Sequence, residues 1–236
     1  MHPPDEDDPA TVSSMRAGAR RALPLAVAVG GFGVSFGVLA GTAGLSPAAA
    51  IAMSLTTFAG SAQFAAVSVL GDGGAMAGAV LAAVLLNARY LPIGASVAPA
   101  MTGSPLRRFL EAQLVVDESW AIGHLGEGRF DRGRILGAGL VLYAAWTLGT
   151  VAGALGGDRL GDPEVLGLDA AFPALFLALL AGQLTGRRAL AAALLGAVIA
   201  LVLIPVAPPG VPVIAAALGC LLGLRQRTPA ATEEAR

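Results

Sequence analysis

The sequence predicts an all-α protein, a polytopic membrane bundle of about six to eight membrane segments, with re-entrant or broken helices as an open alternative for some of them. Three observations carry this. Of 236 residues, 56% are hydrophobic and 13% charged, with a mean hydropathy of +0.73; a soluble domain carries about 25% charge, so polar surface is too scarce here to clothe a water-facing globule. Residues 22–71 contain no Asp, Glu, Lys, Arg or His, and about 20 apolar residues suffice to cross a bilayer. Finally, the arginines cluster between apolar runs.

Taken in order, residues 1–15 combine Pro with an acidic cluster and read as a disordered tail. Arg16, Arg20 and Arg21 then precede the first apolar run, which is longer than a secretory signal core and is followed by others. The membrane domain is placed at 16–227 and a C-terminal tail at 228–236. Apolar segments lie at 22–43, 47–70, 75–101 (interrupted by Arg89), 135–157, 170–186 and 189–224. The last is divided by Pro205, Pro208, Pro209 and Pro212. A more polar stretch, 109–125, carries Glu111, Asp117, Glu118 and His124 and would make a poor lipid-facing span.

Arginine bias sets the orientation. A cytoplasmic N-terminus also places Arg129, Arg132, Arg134, Arg187, Arg188, Arg225 and Arg227 inside, and leaves the acidic loop 158–169 outside. Both termini are therefore expected in the cytoplasm of a multi-pass inner-membrane protein. Segments 47–70 and 109–125 either both cross or both turn back. Crossing puts Arg107 and Arg108 outside, against the bias; two re-entrant segments put them inside, and irregular backbone at that depth is tolerated only against protein or a watery cavity.

All fifteen basic residues are Arg, and the net charge of −1 argues against a nucleic-acid binder. Cys220 is the single cysteine, and His2 and His124 are the two histidines. Neither a disulfide framework nor a multi-histidine metal site is expected, and no cofactor.

The residues that stand out are those that hydrocarbon should reject. Arg89, in LLNARYLPIGASVAP, costs about 2.5–3.5 kcal/mol near a bilayer centre unless it meets a partner or water. It reads either as a structural charge at a helix end before Pro92 or as a guanidinium that receives a carboxylate; Asn87 and Tyr90 add polarity at the same point. Asp117 and Glu118 are its natural countercharges. Neighbours on a helix point about 100° apart, so one would face Arg89 and the other an ammonium group or a proton path, unless the pair belongs to an interfacial acidic helix. In FAGSAQF, Gly60 and Ser61 read as helix packing or as a local unwinding that offers backbone to a ligand, and the Gln63 amide needs partners. Gly33, Gly37 and Gly41 form a smooth stripe suited to close helix packing. A formal G-x-S-x-G match surrounds Ser35, for which His124 is the sole candidate base inside the chain.

In sequence order, RRALPLAVAVGGFGVSFGVLAGTAGLSP, FAGSAQFAAV, LLNARYLPIGASVAP and VVDESWAI resemble the AzlC family, the large subunit of branched-chain amino acid permeases. The similarity covers about residues 16–225 and is strongest over 22–125. It implies export of branched-chain or other small apolar amino acids, together with a small separately encoded AzlD-type membrane subunit. Coupling to an ion gradient, with protons favoured, follows because no G-x-x-x-x-G-K-[ST] loop is present. On this reading Arg89, Asn87, Gln63, Ser61 and Gly60 bind substrate, while Asp117 and Glu118 meet its ammonium group, carry a proton or form an ion pair. No catalytic residue is expected. Trp120 departs from the family pattern and puts aromatic bulk near the acidic pair. Two other classes remain as alternatives: a scaffold or assembly subunit with no path of its own, and an intramembrane serine hydrolase using Ser35.

Overall fold

In a computed structural model the chain is described at residues 9–71 and 73–160 and, beyond these, at 177, 180, 181, 184, 186–207, 211–216 and 219. The N-terminal helix α1 (Pro9–Thr42) starts inside the stretch expected to be a disordered tail. The correction has a local cause: the Ser14 hydroxyl donates to Asp131, whose carboxylate also caps the helix α8 (Arg132–Leu160) by accepting from the Arg134 N–H at 2.9 Å. The C-terminal tail, segment 170–186 for the most part, and most of the loop 158–169 lie outside the described residues.

Helices α1 and α8 run side by side and parallel, since Gly18 meets Arg134, Gly33 meets Gly149 and Gly37 meets Gly153 and Ala154. Small residues on both helices make this approach possible. A Cβ on Gly33 would collide with the Trp146 carbonyl oxygen, and one on Gly37 would fall 2.9 Å from the Gly153 carbonyl carbon, closer than real side chains come. The expected stripe therefore packs at Gly33 and Gly37, whereas Gly41 meets nothing within 4 Å. Because the helices are parallel, their starts share one end of the bundle, the end marked by Arg16, Arg20, Arg21, Arg129, Arg132 and Arg134. The chain between them must return to that basic end.

Its route resolves the choice left open by the sequence. A Schellman motif closes α1, with the Leu45 N–H bonded to the Ala40 carbonyl at 2.9 Å and Gly44 at φ +86°. Ser46 then caps α2 (Pro47–Thr57), which carries Leu55 to the middle of α8, where its carbonyl accepts from the Tyr143 hydroxyl at 2.8 Å. The backbone breaks at Phe58, and α3 (Gly60–Gly71) leads back: a Cβ on Gly71 would stand 3.7 Å from the Cβ of Ala43, beside the point of entry. Segment 47–70 is thus a hairpin that enters and leaves at the far end of the bundle.

The next segment crosses. Helix α4 (Met76–Asn87) packs near α3's end through Gly78 and Val69, α5 (Tyr90–Val97) follows, and Val97 and Met101 reach Ile135 near the start of α8. Together Met76–Val97 is a 22-residue apolar span, interrupted at Arg89.

A second hairpin rises from the basic end. In α6 (Pro105–Ala112), capped by Ser104, Glu111 pairs with Arg132. The chain climbs until Leu114 meets Gly139, turns into α7 (Asp117–Gly123), and descends until Gly123 accepts from the Asp131 N–H at 2.9 Å. Both segments therefore re-enter, from opposite ends, and Arg107 and Arg108 lie at the basic end. A small ribbon follows, β1 (His124–Gly126) paired with β2 (Arg129–Phe130), turning through Glu127 and Gly128, both at positive φ. Helices α9 (Arg187–Leu203) and α10 (Val211–Ala216) pack on each other, and α10 touches α4.

Candidate functional site at the meeting of three broken segments

The two hairpin tips and the interruption of the α4–α5 span converge beside α1 and α8. Around a small cavity of about 40 Å³ stand Gly60 and Ser61 from the first hairpin, Arg89 and Tyr90 from the crossing segment, and Asp117 and Glu118 from the second. Val29 and Phe32 of α1 and Leu142 and Trp146 of α8 supply apolar walls.

Each break has a chemical origin. Phe58 adopts a left-handed conformation (φ 39°, ψ 56°), which is uncommon for a bulky residue and is held here by edge-on packing of its ring against Tyr143 at 5.1 Å. Gln63 bridges the break: its Oε1 accepts from the Ala59 N–H at 3.1 Å, and its Nε2 donates to Ser54 Oγ at 3.0 Å. Ser54 in turn meets Thr150 at 2.8 Å and accepts from Trp146 Nε1 at 3.1 Å. This fully buried network fastens the first hairpin to α8. In the second hairpin, Ser119 accepts from the Val116 N–H at 2.9 Å and donates to the Leu114 carbonyl at 2.8 Å, closing the turn around the backbone it exposes.

At the centre, one Arg89 terminal nitrogen lies 2.9 Å from Asp117 Oδ2 and donates to Ser61 Oγ at 2.9 Å. The Tyr90 hydroxyl approaches the same carboxylate oxygen at 3.4 Å, and the guanidinium carbon lies 5.1 Å from the Tyr90 ring centroid. The guanidinium and the carboxylate remain 21% and 20% exposed, so the pair borders a cavity and is not sealed in a core. Glu118 lines the same space.

Thus Arg89, Ser61, Gly60, Asp117 and Glu118, each singled out in the sequence, stand around one cavity. Gln63 and Asn87 do not line the cavity among the described residues: the Gln63 amide is taken up by Ala59 and Ser54, and Asn87 Oδ1 is buried without a hydrogen-bond partner. Trp120 also stands apart, donating to Ser96 at 2.9 Å and stacking on His124 at 5.7 Å. Ser35 is buried in α1, and among the described residues it shares no hydrogen bond with His124. The walls from α1 and α8 and the Ser54–Thr150–Trp146 network escaped the sequence reading. Their available signal was the spacing of Trp146 and Thr150, four residues apart on one face of an apolar helix.

The model of the AzlC protein family matches residues 24–160, which include every residue of this site. The chain belongs to the AzlC family. Among curated relatives of this AzlC protein, an uncharacterized membrane protein of Archaeoglobus fulgidus is 33% identical over 147 residues, and one of Helicobacter pylori is 27% identical over 148. Each match covers 61% of this chain and 64% of the relative, so the chain spans a little under two thirds of the length of these relatives. No solved structure matches.

Proposed function

We propose that this AzlC protein is a proton-coupled secondary transporter that exports branched-chain or other small apolar amino acids across the cytoplasmic membrane, with both termini in the cytoplasm, alongside a small AzlD-type membrane subunit. The observation that carries the reading is the Arg89–Asp117 pair at 2.9 Å, held where two opposed hairpins and an interrupted span meet. An amino acid zwitterion carries the same two charges. It can enter by exchange, its carboxylate taking Arg89 and its ammonium group taking Asp117, so that no charge is left without a counterpart in low dielectric. Ser61 and the amino end of α3 at Gly60 add hydrogen-bond donors on the carboxylate side. Glu118, beside Asp117, carries the coupled proton. Gln63 serves indirectly by holding the hairpin tip.

A serine hydrolase would need Ser35 and His124 in contact, and in a scaffold subunit the Arg89–Asp117 pair would serve structure alone. The test is efflux from export-deficient cells loaded with a valine dipeptide, with and without the small subunit. Arg89→Ala and Asp117→Asn should each abolish efflux while the protein remains at wild-type level in the membrane. Normal efflux from Arg89→Ala would remove the guanidinium from the mechanism, and disappearance of the protein itself would make its role structural.

A further inference from the structure

The central cavity, at about 40 Å³, has space for little more than a solvent molecule. The charged ends of an amino acid could exchange with Arg89 and Asp117 there, but an isoleucine or leucine side chain could not follow. A second cavity of about 530 Å³ adjoins it toward the basic end, a size typical of small-molecule pockets. Phe58 and Tyr90 line both spaces, so these two rings form the partition between them. Beyond the rings the walls include Ile93, Gly94, Val97 and Met101, with Val115 from the second hairpin opposite; Thr57, Arg108 and Gln113 supply polar groups.

We infer that this larger cavity, bounded by α5, α6 and the two hairpin tips, is the chamber that receives the apolar side chain of the transported amino acid, with Gly94 setting how large a side chain fits. The inference rests on the transport reading above and adds to it the location of the specificity pocket. Of residues 58–64, Phe58 alone walls the chamber, while Gly60 and Ser61 serve the charged end. Three features support the assignment. The chamber is apolar next to a charged site, as a ligand with a zwitterionic head and a hydrocarbon tail requires. Because Phe58 and Tyr90 border both spaces, displacement of the Tyr90 ring would let one molecule occupy the two. Gly94 is helical, lines the chamber, and a Cβ built there meets nothing within 4 Å, so larger residues fit without backbone strain and project into free space.

The experiment is a size series at Gly94 in the full-length chain, with efflux of leucine, valine and alanine measured in export-deficient cells. Gly94→Val should reduce leucine efflux about tenfold relative to alanine, with Gly94→Ala intermediate. A proportional loss for all three substrates, or unchanged leucine export from Gly94→Val, would overturn the chamber while leaving the transport reading intact. A wild-type chain that exports none of them would overturn both. Independent of activity, Ala98→Cys in a Cys220→Ser background should react with a neutral maleimide, and leucine should slow that reaction more than glycine does; equal rates with either amino acid would also refute the assignment.

Discussion

The α1–α8 seam and the junction of the hairpin tips lie side by side, yet they are built on opposite rules. Along the seam, glycines bring two unbroken helices so close that Gly33, Gly37, Gly149 and Gly153 each leave no space for a Cβ. At the junction the helices are interrupted, their backbone is satisfied by Gln63 and Ser119, and charged groups border a cavity. Without a hydrophobic force between helices in lipid, close packing is what binds α1 to α8. The hairpins are short and are joined to that pair through polar contacts and through apolar packing of Phe58, Phe64, Val67 and Val116. If the chain transports as proposed, the seam is expected to stay static and the tips to be the part that rearranges.

The largest expected effect tests the static side. Gly153→Leu drives a side chain into the Val34 backbone, and overpacking of this kind costs about 3 kcal/mol or more where neither helix can yield. Folded protein recovered by size-exclusion chromatography in detergent should fall to near nothing. Gly41→Ala belongs to the same four-residue stripe but meets open space, and its yield should match wild type. Equal sensitivity at both positions would mean that the stripe packs along its whole length and that the seam is longer than described.

A smaller effect is expected at the clamp. Gln63→Leu keeps the side-chain volume but leaves the Ala59 N–H without its partner and removes one of the three hydrogen bonds at Ser54 Oγ, which keeps Thr150 and Trp146, at about 1–3 kcal/mol for the unsatisfied buried group. Efflux should fall further than stability does, because the tip that carries Gly60 and Ser61 is no longer fastened to α8. If melting temperature and efflux decline in step with those of a seam variant of equal cost, the tips are no more mobile than the seam and the contrast fails.

The same two regions differ in how well the sequence disclosed them. Helices α1 and α8 were legible because hydrophobic length and a four-residue glycine spacing are direct consequences of helix geometry. The Arg89–Asp117 pair was legible because hydrocarbon makes an unpartnered charge costly. The hairpins were not, since apolarity measures whether a segment can lie in the membrane and says nothing about where it turns. At Phe58 neither Gly nor Pro marks the turn itself; ring packing from a distant helix enforces it. The Gln63 amide plainly needed partners, yet its composition and position are equally consistent with a ligand or with Ser54. The chamber was hidden for a related reason: Ile93, Val97 and Met101 look like ordinary lipid-facing residues until α6 is placed opposite them.

The smallest effect concerns the base of the second hairpin, where it is anchored to the static part. Glu111 accepts from Arg107 Nε at 2.8 Å and pairs with Arg132 of α8. Burial alone would push its carboxyl group up, but the hydrogen bonds from Arg132 and Arg107 and the charges of both guanidiniums outweigh it and hold the group below the ordinary glutamate range. A carboxyl group whose folded value lies below its unfolded one stabilises the fold above the unfolded value, and that contribution is lost as pH falls through the lowered folded value. Glu111→Gln should therefore cost about 1 kcal/mol at neutral pH, and the gap between wild-type and variant melting temperatures in detergent should close as pH falls from the ordinary glutamate range through the lowered folded value. A gap that stays constant over that range would mean the anchor acts through shape and packing, so that the second hairpin is held to α8 by the same means as α1.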